Sequence, residues 1–445
     1  MTKLDYYFRS KKHLEIMKPQ KTQNLFSTKI TKVFLILLAI TATISCSSGG
    51  DSPTPKPIDE VIRADASLID VSNDQQVIRG FGAATVFRLD TPLSNTDQDL
   101  LFGNNQGQIG LSILRIRVAS DDDASARSIE LNHALGAKAR GAIVIASPWS
   151  PPARMKTNNN LIGGSLDPNS YAAYATYLND FSKYMRDNNA GLYAISIQNE
   201  PDITVTYESC DWTSTQMTDF LKNNGAAISD TKVIADESFN FNHNMTDPIL
   251  NDAVAAANVS IIGGHIYGSG LADYPLARNK GKELWMTEHL DTNITWDAVF
   301  ATGKEIHDCL TTGNFNAYIT WYAKRFYGPL GEDGIVTKRG YVMSNFAKFI
   351  RPGYLRVGAT VNPKTDVFVS AYKGNGKTVI VAINTGSSTL NQQFAFKNAT
   401  ITSVTPYLTS ETNNLVKQAN VTVNASIGAF SYSLPGKSII TFESN

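Results

Sequence analysis

The stretch Ala194-Ile195-Ser196-Ile197-Gln198-Asn199-Glu200-Pro201 decides the fold more directly than any other part of the sequence. Its small and apolar residues predict a buried strand, which Pro201 ends because proline has no N–H for a ladder and keeps its predecessor extended. Asn199 and Glu200 are therefore expected at the carboxyl end of a strand, where α/β barrels hold their active sites. A carboxylate beside an amide suits proton transfer there; alternatively, Glu200 caps a neighbouring helix.

The length and charge of the chain limit its class. With 445 residues it is long enough for two domains, or for one large barrel with an attached domain. The 40 Lys and Arg residues balance the 40 Asp and Glu residues, so the formal net charge is zero. Such a chain offers no electrostatic attraction to nucleic acid or to an anionic membrane surface. We expect no nucleic-acid partner, and we expect a monomer.

An apolar run over residues 33–40 follows two lysines and predicts a secretory signal segment. The run is too short to span a bilayer comfortably. It ends at residues 43–46, Thr-Ile-Ser-Cys, which resemble a bacterial lipoprotein box with Cys46 as the lipidated first mature residue. The alternative is a buried helix over residues 33–45. The lipoprotein interpretation predicts a lipid anchor to a membrane through Cys46.

The predicted organisation begins with a lipoprotein signal peptide over residues 1–45, whose true start could be Met17. A flexible tether rich in Ser, Gly and Pro follows over residues 46–65. The expected location is the bacterial cell envelope, with the protein anchored at the outer membrane or cell surface. The two other cysteines, Cys210 and Cys309, form either one disulfide or two buried thiols.

Strand and helix patterns then alternate over residues 76–356. Apolar strands separated by amphipathic segments predict a parallel (β/α)8 TIM barrel, because parallel strands are covered on both faces. The alternative is an open, doubly wound sheet. It is disfavoured because the sequence has no glycine-rich phosphate turn after the first predicted strand. The eight predicted strands cover residues 77–82, 112–118, 141–147, 194–198, 232–236, 260–265, 283–288 and 316–322.

The pattern changes at about residue 357. Short strands separated by Gly-Asn-Gly and Ser/Thr/Asn turns predict a β-sandwich over residues 357–445. A further strand over residues 66–75 precedes the barrel and is predicted to pair into that sandwich. This strand would tie the two domains together.

Two carboxylates suggest the chemistry. Glu288 ends the seventh predicted strand as Glu200 ends the fourth, so both are expected at the same barrel mouth. No cluster of metal-ligating residues lies near them in the sequence, and we expect neither a metal nor another cofactor. A carboxylate pair of this kind suits glycoside hydrolysis, in which one is protonated and the other ionised. Arg115 is expected to keep Glu288 ionised by lowering its pKa, or to form a structural ion pair. His265 and Tyr267 could bind a carboxylate or a sugar, or be structural.

At this point several ordered motifs resemble glycoside hydrolase family 30, and most closely its bacterial glucuronoxylanase subfamily. The resemblance covers the chain from about residue 66 to the end. It rests on residues 78–82, 112–115, 146–152, 193–202, 284–288, 321–329, 332–334, 338–341 and 349–354.

The resemblance implies a retaining endo-β-1,4-xylanase on a barrel with a side β-sandwich, acting on xylan. Glu200 matches the acid/base and Glu288 the nucleophile, and Asn199, beside the acid/base, is expected to bind substrate. Arg325 matches an arginine that binds the carboxylate of a methylglucuronate branch, and a guanidinium suits that bidentate contact. The matched sugar-contacting aromatics and hydroxyl partners are Trp149, Trp321, Tyr322 and Tyr327. The structural alternative for Arg325 is a salt bridge to Asp333 or Glu332.

The sequence departs from the subfamily after the nucleophile. Leu290 and Asn293 stand about where a tyrosine and a serine usually help to hold the uronate. This departure leaves open an enzyme that requires the branch less strictly or cuts unbranched xylan. Hydrolysis of β-1,6-glucan or glucosylceramide, as in other family 30 relatives, and a non-enzymatic carbohydrate-binding surface lipoprotein are the remaining alternatives.

Overall fold

The structure is a computed structural model that describes residues 61–87, 91–120 and 124–445. The predicted signal peptide, Cys46 and most of the predicted tether lie outside the described residues. No helix within the described part of the chain is both long and apolar enough to cross a membrane.

Eight parallel strands close into a barrel in sequence order, with the last strand pairing with the first. They are β2 (Gly80–Ala84), β3 (Ile113–Val118), β4 (Ile143–Pro148), β5 (Ala194–Ser196), β6 (Lys232–Ser238), β7 (Ile261–His265), β8 (Glu283–Glu288) and β9 (Ala317–Tyr322). Their apolar side chains form a separate inner core that includes Ile113, Ile234 and Trp285. The predicted TIM barrel is confirmed, and the carboxyl ends of its strands carry the site.

Nine α-helices are present in the described residues. They are α1 (Asn95–Phe102), α2 (Ala124–Ala139), α3 (Tyr171–Asp187), α4 (Ser214–Asn224), α5 (His243–Asn251), α6 (Ala253–Ala257), α7 (Pro275–Asn279), α8 (Trp296–Thr311) and α9 (Lys338–Ala347). The apolar residues of α3 at helical spacing are buried, as their periodicity predicts. A capping box at Thr213 and Gln216 begins α4.

The remaining strands form one ten-stranded mixed sheet. They are β1 (Ser67–Val77), β10 (Leu355–Ala359), β11 (Val367–Gly374), β12 (Lys377–Asn384), β13 (Leu390–Lys397), β14 (Ser403–Thr409), β15 (Val416–Lys417), β16 (Val421–Thr422), β17 (Ala429–Leu434) and β18 (Ser438–Ser444). Four strands separate β13 from β18 in the sheet, yet the rings of Phe394 and Phe442 lie 5.1 Å apart. The sheet therefore folds back on itself, which gives the face-to-face packing predicted for a sandwich.

Several predicted bounds were wrong. The N-terminal strand β1 runs to Val77, which pairs with Leu355 in the side sheet, so the first barrel strand begins only at Gly80. Gly80, the first residue of β2, has a φ of 137°, which glycine adopts readily because it has no Cβ. The helix predicted over residues 247–257 is two helices, because Asp252 has extended backbone and caps the second.

The two cysteines within the described residues do not form a disulfide. Cys210 and Cys309 are both free and buried, so the alternative of two buried thiols is the one that holds. The strand β1 precedes the barrel in sequence and pairs with β10 on one side and β13 on the other. It therefore lies within the side sheet, as predicted.

Candidate active site

Arg115, in β3, is fully buried at the centre of the site. Its Nη1 donates to Oε2 of Glu288 at 2.6 Å, its Nη2 to Oδ1 of Asn199 at 2.7 Å, and its Nε to Oγ of Ser147 at 3.1 Å. Nη2 also lies 3.2 Å from Oε1 of Glu237. One guanidinium thus links side chains at or just beyond the carboxyl ends of β4, β5, β6 and β8.

Glu200 lies four residues beyond β5 and is buried. Its Oε1 is 2.9 Å from Nδ1 of His265, and the hydroxyl of Tyr207 donates to its Oε2 at 3.4 Å. Burial raises the pKa of Glu200 to about 7, with Arg115 and Tyr207 acting in the opposite direction. Burial also lowers the pKa of His265 to about 4, so the imidazole is neutral near neutral pH. These pKa values favour a protonated Glu200 beside a neutral histidine.

Glu288 is the last residue of β8 and accepts two hydrogen bonds. Arg115 donates to one carboxylate oxygen at 2.6 Å, and the hydroxyl of Tyr267 donates to the other at 2.8 Å. Burial nevertheless raises the pKa of Glu288, although His265 and Arg115 act to lower it. Arg115 thus acts on the pKa of Glu288 in the expected direction, but loss of hydration outweighs its attraction, so the net shift is upward.

Glu237 is a third buried carboxylate, which the sequence analysis missed. Burial acts to raise its pKa, but Arg115, His265 and the hydroxyls of Ser196 and Ser147 together lower it. Glu237 therefore stays ionised and balances the charge of Arg115. The same signal that selected Glu200 and Glu288, an acidic residue at the carboxyl end of a predicted strand, could have found it.

The cluster of Glu200, His265 and Glu288 could hold a metal by distance alone, because ligand atoms of all three lie within 4.8 Å of one another. However, both oxygens of Glu288 already accept hydrogen bonds from Arg115 and Tyr267. A guanidinium in direct contact also disfavours a second cation. This set of donors fits a carboxylate kept ready for reaction better than a metal ligand.

Buried aromatic side chains line one side of the site. The rings of Trp149 and Trp321 lie 5.7 Å apart, and the guanidinium of Arg115 lies 4.8 Å from the Trp149 ring centroid. Tyr322 packs 4.7 Å from Trp321 and 6.5 Å from Tyr327. The structure thus brings together the four aromatics selected from the sequence. Leu290, which stands where a tyrosine was expected, packs against this cluster.

Arg325 lies in the segment between β9 and α9 and forms an ion pair with Glu332, with Nη1 and Oε1 2.8 Å apart. This pairing is one of the two structural alternatives raised for it. The other acid, Asp333, instead accepts a hydrogen bond from the N–H of Ile335 at 3.0 Å. Asn293 directs its side-chain oxygen to the N–H of Thr295 within its own loop.

The sequence is similar to glycoside hydrolases of known family. A model of the glycosyl hydrolase family 30 TIM-barrel domain matches residues 121–284. The chain is 41% identical to the glucuronoxylanase XynC of Bacillus subtilis strain 168, over 94% of this chain and 99% of that protein. The family model matches part of the barrel, whereas the match to XynC spans both the barrel and the side sheet.

Solved structures agree with the sequence matches. The family 30 subfamily 8 xylanase Xyn30A of Clostridium acetobutylicum superposes with a TM-score of 0.82 at 47% identity, covering 86% of this chain and all of that one. A family 30 endoxylanase of Clostridium papyrosolvens C71 gives a TM-score of 0.79 at 43% identity, covering 85% of this chain and all of that one. The chain belongs to glycoside hydrolase family 30 and is a glycoside hydrolase.

Proposed function

We propose that the protein is a retaining endo-β-1,4-xylanase that cleaves internal bonds of glucuronoxylan. Glu288 attacks the anomeric carbon while Glu200 donates a proton to the leaving oxygen, which gives a covalent glycosyl-enzyme. Glu200 then removes a proton from the water that attacks this intermediate, so the sugar leaves with its original anomeric configuration.

The separation of the two carboxylates carries this proposal. An oxygen of Glu200 and an oxygen of Glu288 lie within 4.8 Å of each other. Retaining enzymes hold their carboxyl groups about 5–5.5 Å apart, whereas inverting enzymes need about 6.5–9.5 Å to admit a water. The short distance supports direct attack by a carboxylate.

The surroundings support one role for each carboxylate. Burial raises the pKa of Glu200 to about 7, which favours the protonated form that an acid needs. Glu288 accepts hydrogen bonds from a buried guanidinium and a hydroxyl, and both contacts stabilise its ionised form. The acid and the nucleophile thus differ in environment rather than in residue type.

Azide rescue tests these roles. Glu288→Ala should abolish hydrolysis, and added azide should restore turnover and give a glycosyl azide of inverted configuration. Glu200→Ala should retain activity on substrates with good leaving groups and give an azide adduct of retained configuration, because only the proton-donation step depends on leaving-group basicity. Product configuration is read by nuclear magnetic resonance.

Glu283→Gln is the matched control for the azide experiment. Glu283 lies at the opposite end of β8, where it pairs with Arg79, so its substitution should leave hydrolysis intact. A Glu288→Ala protein with near-normal activity and no azide adduct would contradict the assignment.

The choice of xylan rests on the relatives and on the polar and aromatic surroundings of the site. The named relatives are a glucuronoxylanase and two xylanases. The rings of Trp149 and Trp321 lie against the guanidinium of Arg115, which contacts Glu288, and aromatic faces suit sugar binding. We propose that Arg325 binds the branch carboxylate in a bidentate contact, with Tyr322 and Tyr327 nearby.

A second candidate is a family 30 xylanase that does not require the branch. Arg325 already pairs with Glu332 at 2.8 Å, so a branch carboxylate would have to compete for the guanidinium. Leu290 supplies no hydroxyl where the resemblance leads one to expect a tyrosine. Both observations favour a weaker branch requirement.

Arg325→Ala separates the two candidates. Charge-assisted contacts contribute roughly 1.5–3 kcal/mol, and about 1.4 kcal/mol corresponds to a tenfold change in rate. The variant should therefore lower kcat/KM on glucuronoxylan by about ten- to a hundredfold, towards the lower end because Leu290 and Asn293 replace expected partners. Activity on the same xylan stripped of its uronates should hardly change.

Lys324→Gln is the control for charge, since this neighbouring cation is bound to Asp97 at 2.8 Å. It should leave the preference between the two xylans unchanged. Wild-type enzyme that cuts stripped xylan as fast as glucuronoxylan would refute branch recognition, and activity on β-1,6-glucan instead of xylan would refute the substrate class.

A further inference from the structure

Arg339 lies in the first turn of α9 and is only 3% exposed. Its Nη1 donates to the backbone oxygens of Asp291, at 2.7 Å, and Tyr327. Its Nη2 donates to the backbone oxygen of Asn293 at 3.0 Å, and its Nε to Oγ1 of Thr302 at 3.1 Å. The guanidinium therefore contacts two different loops at the mouth of the barrel.

We call residues 289–295, between β8 and α8, the nucleophile loop, because they follow Glu288. We call residues 323–337, between β9 and α9, the branch loop, because they include Arg325. Arg339 is bonded to two carbonyls of the first loop and to one of the second.

An open cavity of about 230 Å³ lies beside the nucleophile loop. It is lined by three residues of the loop, by residues of α8 and β9, and by Arg339 itself. Polar contacts from several elements also hold the loop in place.

Those polar contacts divide the loop into two parts. Its start is held by the backbone oxygen of His289, which accepts from the N–H of Trp321 at 2.9 Å and from Oγ1 of Thr320 at 3.2 Å. Its middle, at Asp291 and Asn293, is held to the branch loop through Arg339. Leu290 lies between the two anchors and packs on the aromatic cluster.

We propose that Arg339 is a positioning residue that sets the spacing between the nucleophile loop and the branch loop, and through it the preference for uronate-branched xylan. The inference rests on the proposed function, because it assumes that Arg325 reads the branch. Arg339 is buried among loop carbonyls and acts only through the loops that it joins. The guanidinium bonds these carbonyls and Oγ1 of Thr302 through donors that lie in one plane on three nitrogens, whereas a lysine has its three donors on a single nitrogen.

The test compares kcat/KM on glucuronoxylan and on the same xylan without uronates, and takes the ratio. Arg339→Ala should reduce this ratio about tenfold, and millimolar guanidinium should restore it by entering the enlarged cavity. Arg339→Lys keeps the charge but loses the fork, so its ratio should lie between those of the wild type and Arg339→Ala. Rescue by guanidinium is a result that general loss of stability would not produce.

Arg356→Ala is the matched control. Arg356 is also buried, but it donates to Gln76 at 2.8 Å and to Asn314 at 2.7 Å, beside the amino end of β9. Its removal should leave the ratio unchanged, and guanidinium should have no effect on it. Hydrogen exchange over residues 289–295 should rise in Arg339→Ala and remain at the wild-type level in Arg356→Ala.

Failure of the proposed branch recognition and failure of the role of Arg339 give different results. A wild-type ratio near one overturns the branch recognition on which the inference rests. A clear wild-type preference that survives in Arg339→Ala, with unchanged exchange over residues 289–295, overturns the role of Arg339 alone. If Arg339→Ala does not fold, a wild-type ratio in Arg339→Lys overturns it equally.

Discussion

At the scale of single residues, two carboxylates hold an unusual backbone. Glu200 and Glu237 each have a φ of 46°, a left-handed conformation that costs a residue other than glycine roughly 1–3 kcal/mol. The N–H of Glu200 donates to the carbonyl of Glu237 at 3.0 Å. Asp202 reinforces the turn by accepting from the hydroxyl of Ser238 and the N–H of Phe239. The strained turns therefore fix where the proposed acid points.

The raised pKa of Glu200 predicts a pH profile. A general acid must be protonated, so kcat/KM on glucuronoxylan should fall as the pH rises through about 7. The hydroxyl of Tyr207 donates to Glu200 and stabilises its ionised form. Tyr207→Phe removes that donor, so the pKa should rise and the alkaline limb of the profile should move to higher pH.

The control for this shift is Tyr193→Phe, since Tyr193 lies at the amino end of β5 and its hydroxyl accepts from Lys232. Its alkaline limb should match that of the wild type. An alkaline limb that moves to lower pH in Tyr207→Phe would contradict the role given to Tyr207.

The sequence predicted some of these residues and not others. Glu200 and Glu288 could be selected because each follows an apolar strand, and parallel strands bring their carboxyl ends together. Glu237 carries the same signal, but the predicted strand ends one residue earlier, at Asp236. The net pKa of Glu288 could not be predicted, since it depends on a balance between burial and attraction that only coordinates give.

At the scale of elements, apolar strands that alternate with amphipathic helices predicted the barrel, because a parallel strand is buried on both faces and a covering helix on one. The bounds were less predictable. The sequence around Val77 suits either sheet, and the structure pairs Val77 with Leu355 in the side sheet. The short β5 reflects Ile197, whose carbonyl accepts from the hydroxyl of Tyr174 at 2.9 Å.

The loops were the least predictable elements. Arg339 is 46 residues from Asn293 and 48 from Asp291 in sequence, and no local pattern relates such distant backbone carbonyls to an arginine. The pairing of Arg325 with Glu332 was foreseen as an alternative, because the two residues share one loop. An ion pair within one loop could therefore be predicted from the sequence, whereas contacts between two loops could be seen only in the structure.

At the scale of the whole molecule, the side sheet braces the barrel beside the site. Asn345, in α9, donates to Oγ1 of Thr409 at 2.7 Å and accepts through its backbone oxygen from Thr441 at 2.6 Å. The rings of Phe349 and Tyr407 lie 4.6 Å apart at the same contact. The side sheet thus holds α9, the helix that carries Arg339. Through α9 the side sheet is connected to the mouth of the barrel.

The location of the whole molecule gives the last prediction. Residues 33–46 lie outside the described residues, and we propose that Cys46 is lipidated because an apolar run ends there in a lipoprotein-like box. Each buried CH₂ contributes about 0.8 kcal/mol, so several acyl chains hold firmly where one is marginal. The full-length protein should therefore partition with membranes, and Cys46→Ala should release it or leave it unprocessed.

Cys210→Ala, which alters a buried free thiol, should partition like the wild type. Mass spectrometry that finds an unmodified Cys46 in the mature protein would reject the anchor.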